Sequence, residues 1–189
     1  MKTFYTQKRF LKYFPIVNGN IDCKGEDLHL AFNLDVKASI VNAGSIYIFG
    51  DIFSCDNIDV KNIKVNGGID VFGDICSSGD IESKGYTYAK NIRAGGDIYV
   101  EDWSLVVTGN IDADGNIAAD GDIDAGGDID AGGNIDADGN INSKGDIYSG
   151  GDINSKGDID ALDIKANGNV RSNGKITING MLQENLIKK

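Results

Sequence analysis

The sequence predicts an all-β fold: a single parallel β-helix of triangular cross-section, with about 18 residues per coil and about nine coils. Three observations predict it. Isoleucine recurs at every sixth position from Ile111 to Ile159, the residues between are almost all Asp, Asn, Gly, Ala or Ser, and the single proline, Pro15, precedes the repeat. A period of six does not match the 3.6-residue period of a helix, and proline inside the array would delete a ladder hydrogen bond.

The repeat unit has the form Gly-Asp/Asn-Ile-x-Ala/Ser-x. In an extended segment, Ile and the small residue two positions later lie on one side, and the polar residues next to Ile lie on the other. Gly and Asn are expected to supply tight, sometimes left-handed corners. Stacked coils then satisfy each other's backbone groups at a rise of about 4.8 Å. The stretch YVEDWSLVVTG at 99–109 is the main irregularity.

One periodic architecture covers residues 19–180, with an aromatic-rich part at 40–108 and an Asp-rich part at 109–163. Residues 1–18 are basic and aromatic, and residues 181–189 form a short amphipathic segment. We expect both segments to cap the open ends of the solenoid, because an open coil exposes apolar core and unpaired strand edges. A basic amphipathic membrane anchor is the alternative for the N-terminal segment.

The chain of 189 residues carries a net charge of −11, which argues against direct binding to nucleic acid or to an anionic membrane. No apolar run approaches the roughly 18 residues of a membrane span, and the N-terminus lacks the apolar core of a secretory signal. The thiols Cys23, Cys55 and Cys76 fit neither a disulfide framework nor zinc-ligand spacing. We expect them to be free and buried in a reducing, cytoplasmic compartment.

The residues that could carry chemistry point away from catalysis and predict no cofactor and no metal site. His29 is the single histidine and is more typical of a structural or surface residue than of a catalytic base. The glycines lack the strand-to-helix context of a phosphate-binding loop. The turns DADGN at 112–116 and 136–140 lack the distal Glu of a calcium loop, so we expect only weak screening by divalent ions there.

Several hexads share one pentapeptide form: GDIDA at 121–125, 127–131 and 157–161, GDIYS at 145–149 and GDINS at 151–155. This region resembles the bactofilin-type, polymer-forming β-helices, which implies a triangular solenoid that assembles end to end. It also resembles the left-handed hexapeptide-repeat acyltransferases, which favour a small residue two positions before the aliphatic one. Here Ala131 comes two positions after Ile129 and Gly127 stands two before it, and this departure favours a right-handed coil.

The Asp-rich part holds 14 Asp and two Lys, so its net charge is −12. Over about three coils this is roughly one charge per 1.2 Å of axis, against about one per 1.7 Å for duplex DNA. The carboxylates predicted to bind a partner share two faces: Asp128, Asp130, Asp146 and Asp163 on one, and Asp122, Asp124, Asp158 and Asp160 on the other. Charges about 4.8 Å apart repel by about 1 to 3.5 kcal/mol, a cost that Asn134, Asn140 and Asn142 reduce by interrupting the columns.

Exposed aromatic side chains are typical of interfaces. Tyr47 and Phe49 flank the inward-facing Ile48, so alternation predicts that both point outward. Together with Tyr99 and Trp103 they are candidate apolar anchors for a partner that the acidic part would steer into place. Ordinary packing in corners and caps is the alternative for these side chains.

These features predict a non-catalytic, acidic protein-binding solenoid. Its partner would be a nucleic-acid-binding protein with a basic surface, such as a restriction or CRISPR effector. The solenoid would inhibit this partner by imitating a nucleic acid. Pentapeptide-repeat solenoids resemble DNA in this way, and their similarity to this chain is one of shape. The alternatives are a bactofilin-like, self-assembling structural scaffold and, more remotely, a hexapeptide acyltransferase. A homo-oligomer is a further possible state of the chain. The alternative account of the charge is that Asp and Asn form turns and keep the rod soluble.

Overall fold

A computed structural model describes residues 2–18, 20–36, 39–54 and 56–180. Over these residues the chain winds as a parallel β-solenoid with three strands in each coil of about 18 residues, so the predicted fold class is confirmed. One of the three faces contains nine stacked strands. The solenoid has about eight coils, slightly fewer than the nine predicted from the sequence. The right-handed sense of the coil stays a prediction.

The strands of successive coils stack into three parallel faces. Face 1 contains Asn20–Asp22, the first parts of Ser39–Ile48 and Ile58–Val65, and then Ile75–Ser77, Ile92–Ala94, Ile111–Ala113, Ile129–Ala131, Ile147–Ser149 and Ile164–Ala166. Face 2 contains Lys2–Phe4, Leu28–Leu30, the last parts of the same two long strands, and then Ile81–Ser83, Ile98–Val100, Ile117–Ala119, Ile135–Ala137, Ile153–Ser155 and Val170–Ser172. Face 3 contains Leu34–Val36, Ile52–Ser54, Ile69–Val71, Thr87–Ala89, Leu105–Val107, Ile123–Ala125, Ile141–Ser143, Ile159–Ala161 and Ile176–Ile178.

The strands Ser39–Ile48 and Ile58–Val65 run around the corner between face 1 and face 2 without a break. In the second of them, Ile58 and Ile63 are only five residues apart and no glycine stands between them. The backbone therefore stays extended through the bend. The later corners between face 1 and face 2 contain glycine, and the strands beside them are three residues long.

Isoleucine at the first strand position fills the core, as the six-residue period predicts. Along the regular part of the repeat these side chains are fully buried, and Ala or Ser occupies the inward third position. Serine there also binds the corner backbone: Ser143 Oγ donates to the Gly127 carbonyl oxygen at 2.6 Å and accepts from the Gly145 N–H at 3.1 Å. Either residue therefore fits the narrow interior, because the serine hydroxyl is fully hydrogen-bonded.

The N-terminal segment pairs with the sheet and packs against its first coil. Strand Lys2–Phe4 pairs in parallel with Leu28–Leu30, and strand Ile16–Val17 pairs in antiparallel fashion with Asn20–Asp22. Between them lies the helix Gln7–Tyr13, the only helix in the described ranges, which is too short to cross a membrane.

Two contacts hold this helix against the solenoid. Phe10 is fully buried, and its ring centroid lies 5.5 Å from that of Phe4 and 6.4 Å from that of Phe32. The Gln7 side-chain amide accepts a hydrogen bond from the Asp35 N–H at 3.0 Å and donates one to the Asp35 carbonyl oxygen. These two bonds satisfy the free edge of the first strand on face 3. The predicted C-terminal cap, 181–189, lies outside the described residues.

The cysteines differ in their surroundings. Cys23 is buried, and burial raises the pKa of its thiol to about 12. Cys76 is exposed, so the expectation that it is buried is wrong. It occupies the middle position of strand Ile75–Ser77, where alternation turns the side chain outward. Cys55 lies outside the described residues.

Candidate protein-binding faces

The Asp or Asn before most core isoleucines belongs to a hydrogen-bonded ladder that follows the corners of the solenoid. Its Oδ1 accepts from the backbone N–H of the equivalent residue one coil further on. Asn110 accepts from Asp128 at 3.0 Å, Asp128 accepts from Asp146 at 2.8 Å, and on another corner Asp122 accepts from Asn140 at 2.7 Å. Asp and Asn both supply this acceptor, which is why the two residue types interchange at this position.

In the regular repeat a glycine precedes the ladder residue, and the close approach of the neighbouring coil requires it. A Cβ on Gly127 would lie 1.9 Å from Asn110 Oδ1, and one on Gly145 would lie 2.0 Å from Asp128 Oδ1. Among the described glycines only Gly25 has a positive φ, so the expectation of left-handed glycine corners is wrong for the regular repeat. Steric exclusion by the ladder oxygen, rather than backbone conformation, explains the motif Gly-Asx-Ile.

Three of the predicted partner-binding carboxylates therefore have a structural task at the corners, because Asp122, Asp128 and Asp158 each accept a ladder hydrogen bond. Asp146 donates its backbone N–H to the ladder, and its carboxylate accepts from the Tyr148 hydroxyl instead. Asp163 lies one coil beyond Asp146, as the predicted column Asp128, Asp146 and Asp163 requires, because its carbonyl oxygen accepts from the Ile147 N–H. Asp163 follows a five-residue step, and its Oδ1 accepts from the adjacent Ile164 N–H instead. The ladder uses a single oxygen of each carboxylate, so the negative charge remains.

A second set of carboxylates lies at the outward middle position of the strands. Asp130 is on face 1, and Asp124 and Asp160 are on face 3, where Asn142 separates them. Asn142 Nδ2 donates to Asp124 Oδ1 at 2.7 Å, so an amide interrupts this column of charge as predicted. Asp136 holds the same position on face 2 and was missed, although the middle position of Ile-Asp-Ala is a sufficient signal.

Asp130 has the least favourable surroundings of this set. It lies one coil from Asp112 in the outward column of face 1 and beside the ladder residue Asp128. Burial, followed by the repulsion of these two carboxylates, raises the pKa of Asp130. Folding therefore holds negative charge here against an electrostatic cost.

Three carboxylates of the Asp-rich part form ion pairs in the described ranges, and one of these pairs, Lys156 with Asp138, lies wholly within that part. Arg93 pairs with Asp112 at 3.5 Å, and Arg171 pairs with Asp152 at 3.1 Å. Within the described ranges, four outward carboxylates have no ion pair: Asp124, Asp130, Asp136 and Asp160.

The aromatic candidates do not form one patch. Tyr47 and Phe49 point outward as predicted, and both pack against His29, with ring centroids 5.0 and 6.0 Å apart. Tyr99 lies in the same outward column of face 2 as Tyr47. An ion pair between Lys64 and Glu82 occupies the two positions between them in this column.

Trp103 lies elsewhere, because the corner that carries it is longer than the others. Ile98 and Leu105 are seven residues apart, and Asp102 takes up the extra residue with a φ of +67°. Trp103 is thereby exposed over 59% of its surface and lines a groove of about 400 Å³ on face 3. We call it the aromatic groove, and its lining is Asp70, Phe72, Tyr86, Thr87, Tyr88, Trp103, Ser104 and Val106.

Sequence reasoning identified Trp103 as a site residue but did not assign the other rings of the groove. The 18-residue spacing from Asp70 to Tyr88 and on to Val106 is a sequence signal that would have assigned Tyr88 to this face. Further along the same face, Asp124, Asn142 and Asp160 line a second groove of about 630 Å³. Face 3 therefore carries an aromatic groove followed by an acidic one.

In the described ranges, no group of three or more His, Cys, Asp or Glu side chains could hold a metal ion. Comparisons with protein-family models, curated proteins and solved structures find no match to this chain. The solenoid, consistent with a hexapeptide-type β-helix, and the geometry of its faces are therefore the basis for a functional assignment.

Proposed function

We propose that this chain is a non-catalytic binding protein that presents an acidic surface to a partner with a basic surface. One observation carries the proposal: strand-centre carboxylates without an ion pair in the described ranges point outward on all three faces of neighbouring coils. They are Asp124, Asp130, Asp136 and Asp160. Such a surface steers and orients a cationic partner.

The finer proposal is that the acidic part imitates the charge of a nucleic acid and occupies the basic groove of a nucleic-acid-binding protein. Its support is the regular axial spacing of charge, since successive coils rise by about 4.8 Å and each contributes carboxylates at corners and strand centres. The net charge of −12 over residues 109–163 gives an axial density close to that of duplex DNA, about one charge per 1.7 Å.

Rigidity supports the same assignment. The corner ladder fixes the backbone around Asp122, Asp128 and Asp146, and the strand pairing fixes the outward side chains between them. A surface that is ordered before binding loses less conformational entropy on association. The acidic part therefore holds its charges in place without a partner.

Two variants with the same net charge test this proposal. The outward variant changes Asp124, Asp130, Asp136 and Asp160 to Asn. The ladder variant changes Asp122, Asp128, Asp146 and Asp158 to Asn, which keeps the Oδ1 acceptors at 122, 128 and 158 and the backbone N–H donor at 146. Both are titrated against a panel of purified DNA-binding domains with basic grooves, with and without competing duplex DNA.

We expect wild-type protein to bind at least one such domain, duplex DNA to displace it, and the outward variant to lose about tenfold in affinity. The ladder variant should lose less, because its carboxylates lie at the corners. Equal losses would mean that only total charge matters. Unchanged binding of both variants, or no binding by wild type, would reduce the acidic surface to a solubility function.

A bactofilin-like scaffold that assembles end to end is the second candidate. It is favoured by the last described coil, where the core positions Val170 and Ile176 are exposed over 36% and 42% of their surface. The covered first coil, where Gln7 satisfies the edge at Asp35, argues against it. Light scattering and negative-stain microscopy at low and physiological salt separate the two, since filaments support the scaffold and a discrete particle supports the binding protein.

A further inference from the structure

The aromatic groove contains one carboxylate surrounded by rings. Asp70 holds the outward middle position of strand Ile69–Val71, between Phe53 and Tyr88 in the column of face 3. The Phe72 ring contacts the aromatic rings on both sides of Asp70, since its centroid lies 5.7 Å from that of Phe53 and 6.5 Å from that of Tyr88. Asp70 is therefore flanked by aromatic side chains along the solenoid axis and at the corner.

The groove lies where the corner ladder is interrupted. Asp51 Oδ1 accepts from the Gly68 N–H at 2.9 Å, and the ladder resumes where Ser104 Oγ accepts from the Asp122 N–H at 3.0 Å. Between them, Tyr86 replaces the usual Asp or Asn, and its ring packs over Gly68, where a Cβ would lie 2.9 Å from Tyr86 Cε1. Departures from an otherwise consistent local rule are expected at functional sites.

The side-chain carboxylate of Asp70 has no hydrogen bond or ion pair within the part of the chain that the structure describes. Desolvation by its neighbours raises the pKa of this carboxyl. A carboxylate in this position gains from any cation that reaches it, because the rings exclude part of the water that would screen the pair. The ring faces attract the same cation.

We propose that the aromatic groove binds an arginine side chain of the partner protein, with the guanidinium paired to Asp70 and stacked against the rings of Tyr86, Tyr88 or Trp103. This inference rests on the proposed function, since it names the group by which a basic partner is held. Arginine fits better than lysine because its planar, weakly hydrated guanidinium pairs with carboxylates through two parallel bonds and stacks on aromatic faces.

Trp103 reports on this groove directly, because it is the single tryptophan of the chain. The probe is Nα-acetyl-arginine amide, titrated at constant ionic strength while Trp103 fluorescence is followed. The citrulline and lysine analogues are titrated in parallel, since citrulline keeps the shape of arginine and lacks its charge. We expect a saturable change with arginine and binding weaker by about tenfold or more with citrulline.

Asp70→Asn is the central variant, and Asp59→Asn, at an exposed outward strand position on face 1, is its matched control. We expect Asp70→Asn to weaken binding of the arginine analogue about tenfold and Asp59→Asn to leave it unchanged. Tyr88→Leu removes one ring of the groove but keeps an apolar side chain there. We expect it to weaken binding of the arginine analogue as well. Urea unfolding of each variant verifies that the fold is retained.

No saturable response, an equal response to citrulline, or unchanged binding by both Asp70→Asn and Tyr88→Leu would overturn the proposal. Tighter binding of the lysine analogue would overturn the choice of arginine. If the aromatic groove does not bind the arginine analogue while the outward variant still loses affinity for DNA-binding domains, the groove proposal alone is overturned. If the groove binds arginine and no basic domain binds, the acidic-surface proposal is overturned instead.

Discussion

Asp146 donates its backbone N–H to the carboxylate of Asp128, one coil away, at 2.8 Å. From the sequence, these two residues are like charges stacked in one column. In the structure they are also donor and acceptor in the corner ladder. The ladder requires an oxygen at this position but not a charge, so its stabilising effect and its electrostatic effect are separable by substitution.

Asp128→Asn should leave the free energy of unfolding unchanged or raise it, since the Oδ1 acceptor stays and a negative charge next to Asp130 is removed. Asp128→Ala leaves the Asp146 N–H without its acceptor and should cost about 1 to 2 kcal/mol in urea unfolding. Asp130→Ala is the control outside the ladder and should not reproduce this loss. Equal stabilities of the Asn and Ala variants would contradict the ladder assignment.

Gly127→Ala should be strongly destabilising, because the new methyl group would lie 1.9 Å from Asn110 Oδ1. Asn110→Ala in the same chain removes the clashing oxygen, so the double variant should recover part of the loss, with a coupling of about 0.5 to 3 kcal/mol. A thermal-unfolding double-mutant cycle measures this coupling.

Gly132→Ala is the contrasting case for that cycle. Its Cβ would lie 2.1 Å from the backbone carbonyl oxygen of Asp114, which no side-chain change removes. Asp114→Ala should therefore fail to rescue it. Rescue at both sites, or at neither, would mean that the side-chain oxygen does not exclude residues larger than glycine.

Gln7→Ala should open the first edge of face 3. Both backbone groups of Asp35 lose their side-chain partner, and we expect faster hydrogen exchange at the Asp35 amide and a loss of about 1 to 2 kcal/mol in stability. Lys8→Ala, a neighbouring exposed position on the same helix, is the control. Unchanged exchange at Asp35 in the Gln7 variant would mean that this edge is protected by something other than the glutamine.

The pH dependence of stability should separate two carboxylates with opposite shifts. Burial and the neighbouring carboxylates raise the pKa of Asp130, so the folded chain binds more protons than the unfolded one between about pH 4 and the raised value. Its ionisation therefore destabilises the fold as pH rises through that window. Asp130→Asn should raise the Tm above the window and leave it unchanged near about pH 3.

Asp152 should behave in the opposite way. The hydrogen bond from the Asn169 backbone N–H and the proximity of Arg171 lower its pKa. Its stabilising contribution is present above about pH 4, the unfolded value, and is lost as pH falls through the lower folded value. Asp152→Asn should therefore lower the Tm at neutral pH only, and the same sign of change in both variants would refute these assignments.

Periodicity predicts the solenoid because the spacing of residues such as Ile111 and Ile117 fixes both the strand length and the inward face. It does not distinguish Asp122 from Asp124 within the same GDIDA unit. One accepts a backbone hydrogen bond from the next coil and the other points into solvent, and the difference depends on the direction of N–H groups at a corner. Trp103 was identified, but its position depends on how Asp102 accommodates one extra residue, which no repeat pattern specifies.

Every contact of the corner ladder joins equivalent positions in adjacent coils, as in the series Asn110, Asp128 and Asp146. Duplication or loss of one complete coil therefore recreates each contact that it interrupts. Insertion of a single residue within a strand instead offsets glycine from its ladder oxygen. Genes of this kind can lengthen or shorten the rod in increments of about 4.8 Å, and the reach of its charged surface can evolve separately from the stability of each coil.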